Sequence, residues 1–222
     1  MKPHRERKLK VAQFHIENER PEEFADNTLE YYTPERVDEY ANSKALMRIQ
    51  EKITYRAMNI AQIKPPARVL DLGMGCGFAT TYLHINKYDT VGIDLNRNFL
   101  TYYHTPELNP IESDMRYLGF RPQSFDMVIS ISAIQWVLAE KDAHKRHQML
   151  KFIAVSCGEL LLPGGKVVMQ FYPKTDDAMK ELGAVFADSG YFEGNFIIDN
   201  IDSPKKRKVF LYLERKSDTE SI

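Results

Sequence analysis

The stretch Arg68-Val-Leu-Asp-Leu-Gly-Met-Gly-Cys-Gly-Phe78 constrains the fold more than any other part of this chain. It reads as a short buried strand with an acid near its end, a turn with glycine at every second position, and the start of a helix. Gly73 and Gly75 carry no Cβ, so the backbone can bend sharply there and let a ligand come close. The dinucleotide fingerprint G-x-G-x-x-G is not met, because Gly77 comes one residue early and Phe78 stands in the third glycine's place. Asp71 would repel a pyrophosphate. A carboxylate there suits a ligand that presents a cationic amine.

The remaining pattern alternates strands and helices, as a parallel sheet with crossover helices requires. Strands are expected at Val69–Leu72, Thr90–Asp94, Pro110–Ser113, Phe125–Ser132 and Lys166–Tyr172. Helices are expected near Ala79–Ile85, Arg97–Tyr103, Ile134–Leu138, His144–Leu162 and Thr175–Ser189, with Pro163-Gly164-Gly165 as a stop before the fifth strand. Asn195–Ile201 and Lys208–Glu214 lie at hairpin spacing. Before the first strand, Thr33 and Pro34 mark a helix start, and Leu46, Ile49, Ile53, Ala57 and Ile60 give a second helix up to Ile63. The result is an α/β fold with a seven-stranded, mostly parallel sheet closed by an antiparallel hairpin. Residues 1–30 form a highly charged extension, and residues 31–222 form one domain that includes the helices within 33–63. A length of 222 residues with 43% hydrophobic residues supports one such core.

Composition narrows the function classes. A net charge of −1 does not mark a strongly basic nucleic-acid binder. The presence of only two cysteines, Cys76 and Cys157, argues against a disulfide framework or a four-ligand zinc site. His144 and His147 share a helix but have no carboxylate or cysteine set at ligand spacing, so no metal is expected. No apolar run approaches the ~18 residues of a membrane span, and no apolar segment follows the charged start as in a signal peptide. A soluble, cytoplasmic protein is expected.

Three acids fall at successive strand ends: Asp71, Asp94 and Asp114. Each alone reads better as a helix N-cap, but in register after a glycine turn they read together as one ligand site. The D-x-G-x-G-x-G turn resembles motif I of the class I S-adenosylmethionine (SAM)-dependent methyltransferases. That resemblance implies a Rossmann-like sheet with SAM beside Gly73, Gly75 and Gly77, and Asp71 answering its ammonium. Asp94, with Leu95 beside it, would take the ribose hydroxyls. Asp114 would take the adenine amine, with Met115 against the ring.

Missing motifs narrow the acceptor. The fourth strand ends in Ile129-Ser-Ile-Ser-Ala-Ile-Gln-Trp136, without the Asn/Asp-Pro-Pro-Tyr/Phe motif of exocyclic-amine enzymes. Neither cysteine is placed as a pyrimidine C5 nucleophile, and no acid cluster suits a catechol-type metal. A ring nitrogen with a free lone pair, such as guanine N7, needs none of these groups. Its methylation can run on in-line positioning alone.

Phe125-Asp-Met-Val-Ile-Ser-Ile-Ser-Ala-Ile-Gln-Trp136, His144-Lys-Arg146 and Gln170-Phe-Tyr-Pro173 together resemble the small-subunit rRNA (guanine-N7)-methyltransferase family, from about Tyr31 to the final strand. The resemblance implies SAM as cofactor, a guanine of small-subunit rRNA or a pre-ribosomal particle as substrate, and a role in ribosome maturation. It also implies a small zinc-ribbon activator subunit paired along the third-strand edge, beside Phe99, Leu100, Tyr102 and Tyr103. Ser132, Gln135, Trp136 and Tyr172 would face the methyl and the target base. Trp136 and Tyr172 could stack a flipped-out guanine, worth about 1–3 kcal/mol per base. Tyr32 and Tyr40 would lie over the cofactor. Core packing stays open for these tyrosines and for Trp136. Met74, Cys76 and Phe78 depart from the family's Asp-Ile-Gly-Cys-Gly-Ser-Gly turn, and the N-terminal extension is unusual for it.

Pro204-Lys-Lys-Arg-Lys-Val209 reads as a nuclear-import signal, a solvated hairpin turn or an RNA-phosphate contact. Two rival functions stay open as well. One is a small-molecule methyltransferase, which would need a lid. The other is a SAM-binding ribosome assembly factor whose catalysis is dispensable.

Overall fold

The computed structural model describes residues 20–25, 28–102, 108, 110–203 and 206–217. Most of the N-terminal extension, Tyr103 of the expected edge patch, and Pro204 and Lys205 of the basic hairpin lie outside the described residues. The described residues begin with four helices, α1 (Pro21–Phe24), α2 (Thr28–Tyr31), α3 (Pro34–Ala41) and α4 (Lys44–Ala61). There follow β1 (Arg68–Leu72), α5 (Phe78–Ile85), β2 (Asp89–Asp94), α6 (Arg97–Leu100), β3 (Ile111–Glu112), β4 (Phe125–Ile131), α7 (Gln135–Leu138) and α8 (Ala143–Leu160). The chain closes with β5 (Leu161–Phe171), α9 (Asp176–Asp188), β6 (Phe192–Asp199) and β7 (Lys208–Arg215).

Local chemistry sets the helix ends. The Thr33 hydroxyl accepts from the Arg36 amide, Ser43 from Leu46, and Thr175 from Ala178. Asp142 caps α8 through the amides of His144 and Lys145. Each such cap satisfies amides that a helix leaves unpaired, at about 1 kcal/mol. Helix α4 stops at Gln62, whose left-handed conformation ends the ladder before Pro65 and Pro66 are reached.

The sheet order is β3-β2-β1-β4-β5-β7-β6. Strands β1 to β5 run parallel, and β7 is antiparallel to both β5 and β6. One expectation changes. Pro163-Gly164-Gly165 do not precede the fifth strand but form an irregularity inside it. Leu161 already pairs with Phe125, and the register shifts before Lys166 pairs with Met127.

Strand alternation sorts side chains onto two cores. Leu70, Leu72 and Val128 point to the face covered by α8 and α9, against Leu150, Ile153, Leu182 and Phe186. Val69, Met127 and Ile129 point to the opposite face, against Ile53, Ala57 and Leu83 of α4 and α5. A third cluster joins Val37, Cys76 and Phe99, with Tyr32, Tyr40, Phe78 and Tyr102 packed on it. This cluster holds α3 against the glycine turn and α6, at the carboxyl ends of the strands. It also hides Phe99, so the apolar surface expected beside the third strand is partly covered by the chain itself.

Candidate active site

The glycine turn is strung between two strands and a helix. The Ile93 carbonyl accepts from both the Gly73 and Met74 amides at 2.9 Å, and Gly77 caps α5. Gly73 has a φ of +76°, and a Cβ there would stand 2.4 Å from the Ala133 Cβ. Gly75 has a φ of +54°, yet a Cβ there would meet no protein atom within 4 Å. At Gly73 the turn needs glycine to pack, and at Gly75 the space beside the backbone is left free.

The three strand-end acids do not cap helices. Gly77 and Asn96 hold those positions for α5 and α6, and no helix begins at Asp114. Asp71 is 1% exposed, and its carboxylate accepts from the Thr80 hydroxyl at 2.7 Å. Burial pushes the Asp71 carboxyl up to about 7, with the Asp94 charge adding to the rise and the Thr80 hydrogen bond opposing it. Asp94 takes the Gly75 amide on one oxygen and the Asn96 amide on the other, both at 2.8 Å. Each oxygen keeps a lone pair for a ligand. Burial also raises the Asp94 carboxyl, against the pull of those amides. At Asp114 burial is outweighed by Arg116, whose guanidinium and amide hold the carboxyl below its ordinary value.

A cavity of about 480 Å³ opens above these acids. It brings together Asp71, Gly73, Gly75, Asp94, Leu95, Asp114 and Met115 with Tyr32, Tyr40, Ser132 and Trp136. Tyr32 and Tyr40 both line the cavity and pack, so the two readings of them hold together. The Tyr32 ring lies 4.8 Å from Phe99 and 5.6 Å from Trp136, and Tyr40 stacks on Phe78 at 5.7 Å. The Ser132 hydroxyl donates to the buried Gln170 amide oxygen at 2.8 Å and receives Gln50 at 3.4 Å. Gln50 also reaches the Tyr40 hydroxyl at 3.4 Å.

Gly77, Gln135 and Tyr172 do not line the cavity. Gly77 lies behind the turn as the α5 cap. Gln135 begins α7 with its side-chain oxygen buried and without a donor among the described residues. Tyr172 is committed elsewhere, because Lys208 donates to its hydroxyl at 2.9 Å and Arg20 donates to its carbonyl. The Lys208 ammonium and the Arg20 guanidinium also lie 4.6 and 5.4 Å from its ring centroid. These two cations flank its ring.

The structure adds residues that sequence reasoning missed: Glu22, Ala25 and Thr28 from α1 and α2, Gln50 from α4, and Arg116, Lys141 and Lys145. Gln50 carried a signal, since it sits at core spacing between Leu46 and Ile53, while Ile49, assigned to that stripe, is 44% exposed. Glu22 carried none.

These features fit SAM. The volume lies in the range of ligand pockets, roughly 300–1,000 Å³. Asp94 offers two acceptors to a vicinal diol, Gly75 leaves its flank open, and Asp71 supplies buried negative charge toward a cation.

The comparisons with known proteins agree. Residues 70–169 match a methyltransferase-domain family model. An 18S rRNA (guanine(1575)-N(7))-methyltransferase of Saccharomyces cerevisiae is 33% identical over 83% of this chain and 68% of its own length. An 18S rRNA (guanine-N(7))-methyltransferase of Schizosaccharomyces pombe is 29% identical over 88% of this chain and 74% of its own. Among solved structures, a chain from a complex containing the Haloferax volcanii Trm112 methyltransferase activator superposes with a TM-score of 0.60 at 17% identity, covering 84% of this chain and 98% of that one. A TehB-like SAM-dependent methyltransferase of Corynebacterium glutamicum gives 0.59 at 18% identity, over 83% of this chain and 100% of its own. These two likenesses speak for the fold. With a methyltransferase-domain match over residues 70–169 and these relatives similar along most of its length, this chain is a class I SAM-dependent methyltransferase and belongs to the 18S rRNA (guanine-N7)-methyltransferase family.

Proposed function

We propose that the cavity binds SAM and a single guanine of small-subunit rRNA, and that methylation at N7 serves maturation of the small ribosomal subunit. The observation that carries this reading is the wall around Ser132 and Trp136. Trp136, Tyr40, Gln50 and Ser132 offer flat aromatic surface and neutral hydrogen-bonding groups, and among the described residues no histidine or cysteine lines the cavity. Such a wall positions a nucleophile that already has a lone pair and needs no base to create one. SAM supplies the methyl group on a positively charged sulfur. Asp94 would hold its ribose hydroxyls, Asp71 its ammonium, and Asp114 with Met115 its adenine. Trp136 would stack the target base. Tyr172, with Lys208 and Arg20 beside its ring, would instead anchor the N-terminal segment over the site.

A partner belongs to the same proposal. Strand β3 pairs only with β2 among the described strands, so its outer edge is free to accept another strand. A Trm112-type activator, as named in the archaeal complex, is the partner proposed for it.

One observation favours a second reading. Glu22, Ala25 and Thr28 place α1 and α2 against the cavity, which is the lid a small-molecule methyltransferase needs. Incubation with methyl-labelled SAM decides between the two. Label recovered as 7-methylguanosine in small-subunit particles supports the rRNA reading. Label that enters only small metabolites removes it.

A further inference from the structure

Among the described residues five acids line the cavity, and four of them are committed. Asp71 takes Thr80, Asp94 takes the Gly75 and Asn96 amides, Asp114 takes Arg116, and Glu140 takes Lys145 and the Asp142 amide. The fifth is Glu22, at 8% exposure in α1. Among the described residues no other residue donates a hydrogen bond to its carboxylate, since Arg20 directs its guanidinium to Tyr172 and Lys174 pairs with Glu23. Its charge is felt at the Tyr32 hydroxyl, and the Tyr32 ring lies 5.6 Å from Trp136. Burial raises the Glu22 carboxyl, and the hydrogen bond it receives comes from its own backbone amide. A carboxylate almost out of water with so few donors, in a cavity shared with Tyr32 and Trp136, is costly unless a ligand supplies more.

We infer that Glu22 is the residue that selects guanine, accepting hydrogen bonds from N1–H and the N2 amino group of the target base beside Trp136. This rests on the rRNA reading above and names the contact that gives it base specificity. Guanine is the base whose pairing edge carries two adjacent donors for one carboxylate. Adenine and cytosine present a ring acceptor at that edge, and uracil a single ring donor between two acceptors. Holding that edge also leaves N7, across the purine, free to face the methyl group. In the transfer the N7 lone pair bonds to the methyl carbon, the electron pair of the breaking carbon–sulfur bond stays on sulfur, and the positive charge passes to the purine. The hydrogen bonds to Glu22 therefore strengthen as the reaction proceeds, which lowers the barrier and not merely the binding energy.

The test uses the full chain, with its activator if the complex forms, and Glu22→Gln and Glu22→Ala variants checked for unchanged thermal melting. Single-turnover formation of 7-methylguanosine on small-subunit particles is expected to fall roughly 10–100-fold in Glu22→Gln, while the SAM dissociation constant stays within about two-fold of wild type. In the presence of S-adenosylhomocysteine, wild type should prefer 7-methylguanosine 5′-monophosphate to its inosine counterpart, which lacks the N2 amino group, and Glu22→Gln should lose that preference. Unchanged turnover in both variants overturns the assignment. Weakened SAM binding also overturns it, because Glu22 then serves the cofactor ammonium. If wild type forms no 7-methylguanosine on any small-subunit particle, the rRNA reading itself fails and takes this inference with it.

Discussion

Asp71 and Asp94 lie 23 residues apart at neighbouring strand ends and do different work because their donors differ. Asp94 faces two backbone amides and keeps acceptor capacity. Replacing it with alanine should weaken SAM by about 2 kcal/mol, roughly 30-fold in affinity, since hydrogen bonds to a charged group contribute about 1.5–3 kcal/mol. Titration calorimetry reads this directly, and unchanged affinity removes Asp94 from the ribose. Asp71 has one hydroxyl donor and almost no water, and its carboxyl is raised to about 7 from an ordinary 3.8. A carboxyl raised on folding holds its proton more tightly in the native state. Its contribution to stability is complete below about pH 4 and is lost as pH rises through about 7. Relative to Asp71→Asn, wild type should therefore lose stability between pH 4 and 8, by a total on the order of 4 kcal/mol. Melting curves across that range check it, and parallel curves contradict it. A cationic ligand beside Asp71 favours the ionised form, so SAM binding near pH 6.5 should release protons in wild type but fewer in Asp71→Asn. Calorimetry in buffers of different ionisation enthalpy counts them.

At the scale of elements, the β1–α5 turn and the α1–α2 segment both line the cavity. Gly73→Ala and Gly75→Ala separate packing from ligand access. Both pay about 1–2 kcal/mol for a left-handed backbone, but only Gly73→Ala also drives a Cβ to 2.4 Å from Ala133. Gly73→Ala should thus lower the melting temperature further than Gly75→Ala, whereas Gly75→Ala should weaken SAM more than its small loss of stability explains. The α1–α2 segment is held by Arg20 on Tyr172 and by the Glu23–Lys174 pair. Arg20→Ala should speed hydrogen exchange in residues 21–31 and release SAM several-fold faster in stopped flow. No change in either rate means that the segment is held by its other contacts.

For the whole molecule, the two ends of the sheet are unlike. Strand β6 runs eight residues, paired along β7, while β3 has only Ile111 and Glu112, both exposed. Ile111 at 38% and Tyr117 at 62% exposure, close in sequence, leave apolar surface at this corner for a partner to cover. Co-expression with a Trm112-type activator should yield a complex on size-exclusion chromatography, with hydrogen-exchange protection at residues 110–113. Two separate peaks with unprotected β3 amides would leave this chain without that partner.

Local pattern was enough for the elements from α3 onward, apart from the start of β5, for the strand-end acids and for the antiparallel closing hairpin, but not for α1 and α2. Hydrophobic period, capping residues and glycine placement act between near neighbours in the chain, and parallel strands then bring their carboxyl ends to one side. The sequence therefore determined that Asp71, Asp94 and Asp114 would share a site, and the distinctive run before Trp136 marked the family. Only the tertiary structure decided what covers that site. Glu22 reaches the cavity because Arg20 meets Tyr172 across 152 residues of chain, and Gln50 faces Ser132 across 82. The same contact drew Tyr172 away from the base-stacking role its place after the fifth strand implied. Pairings over such separations depend on the assembled surfaces of several elements, and no periodicity within one element encodes them.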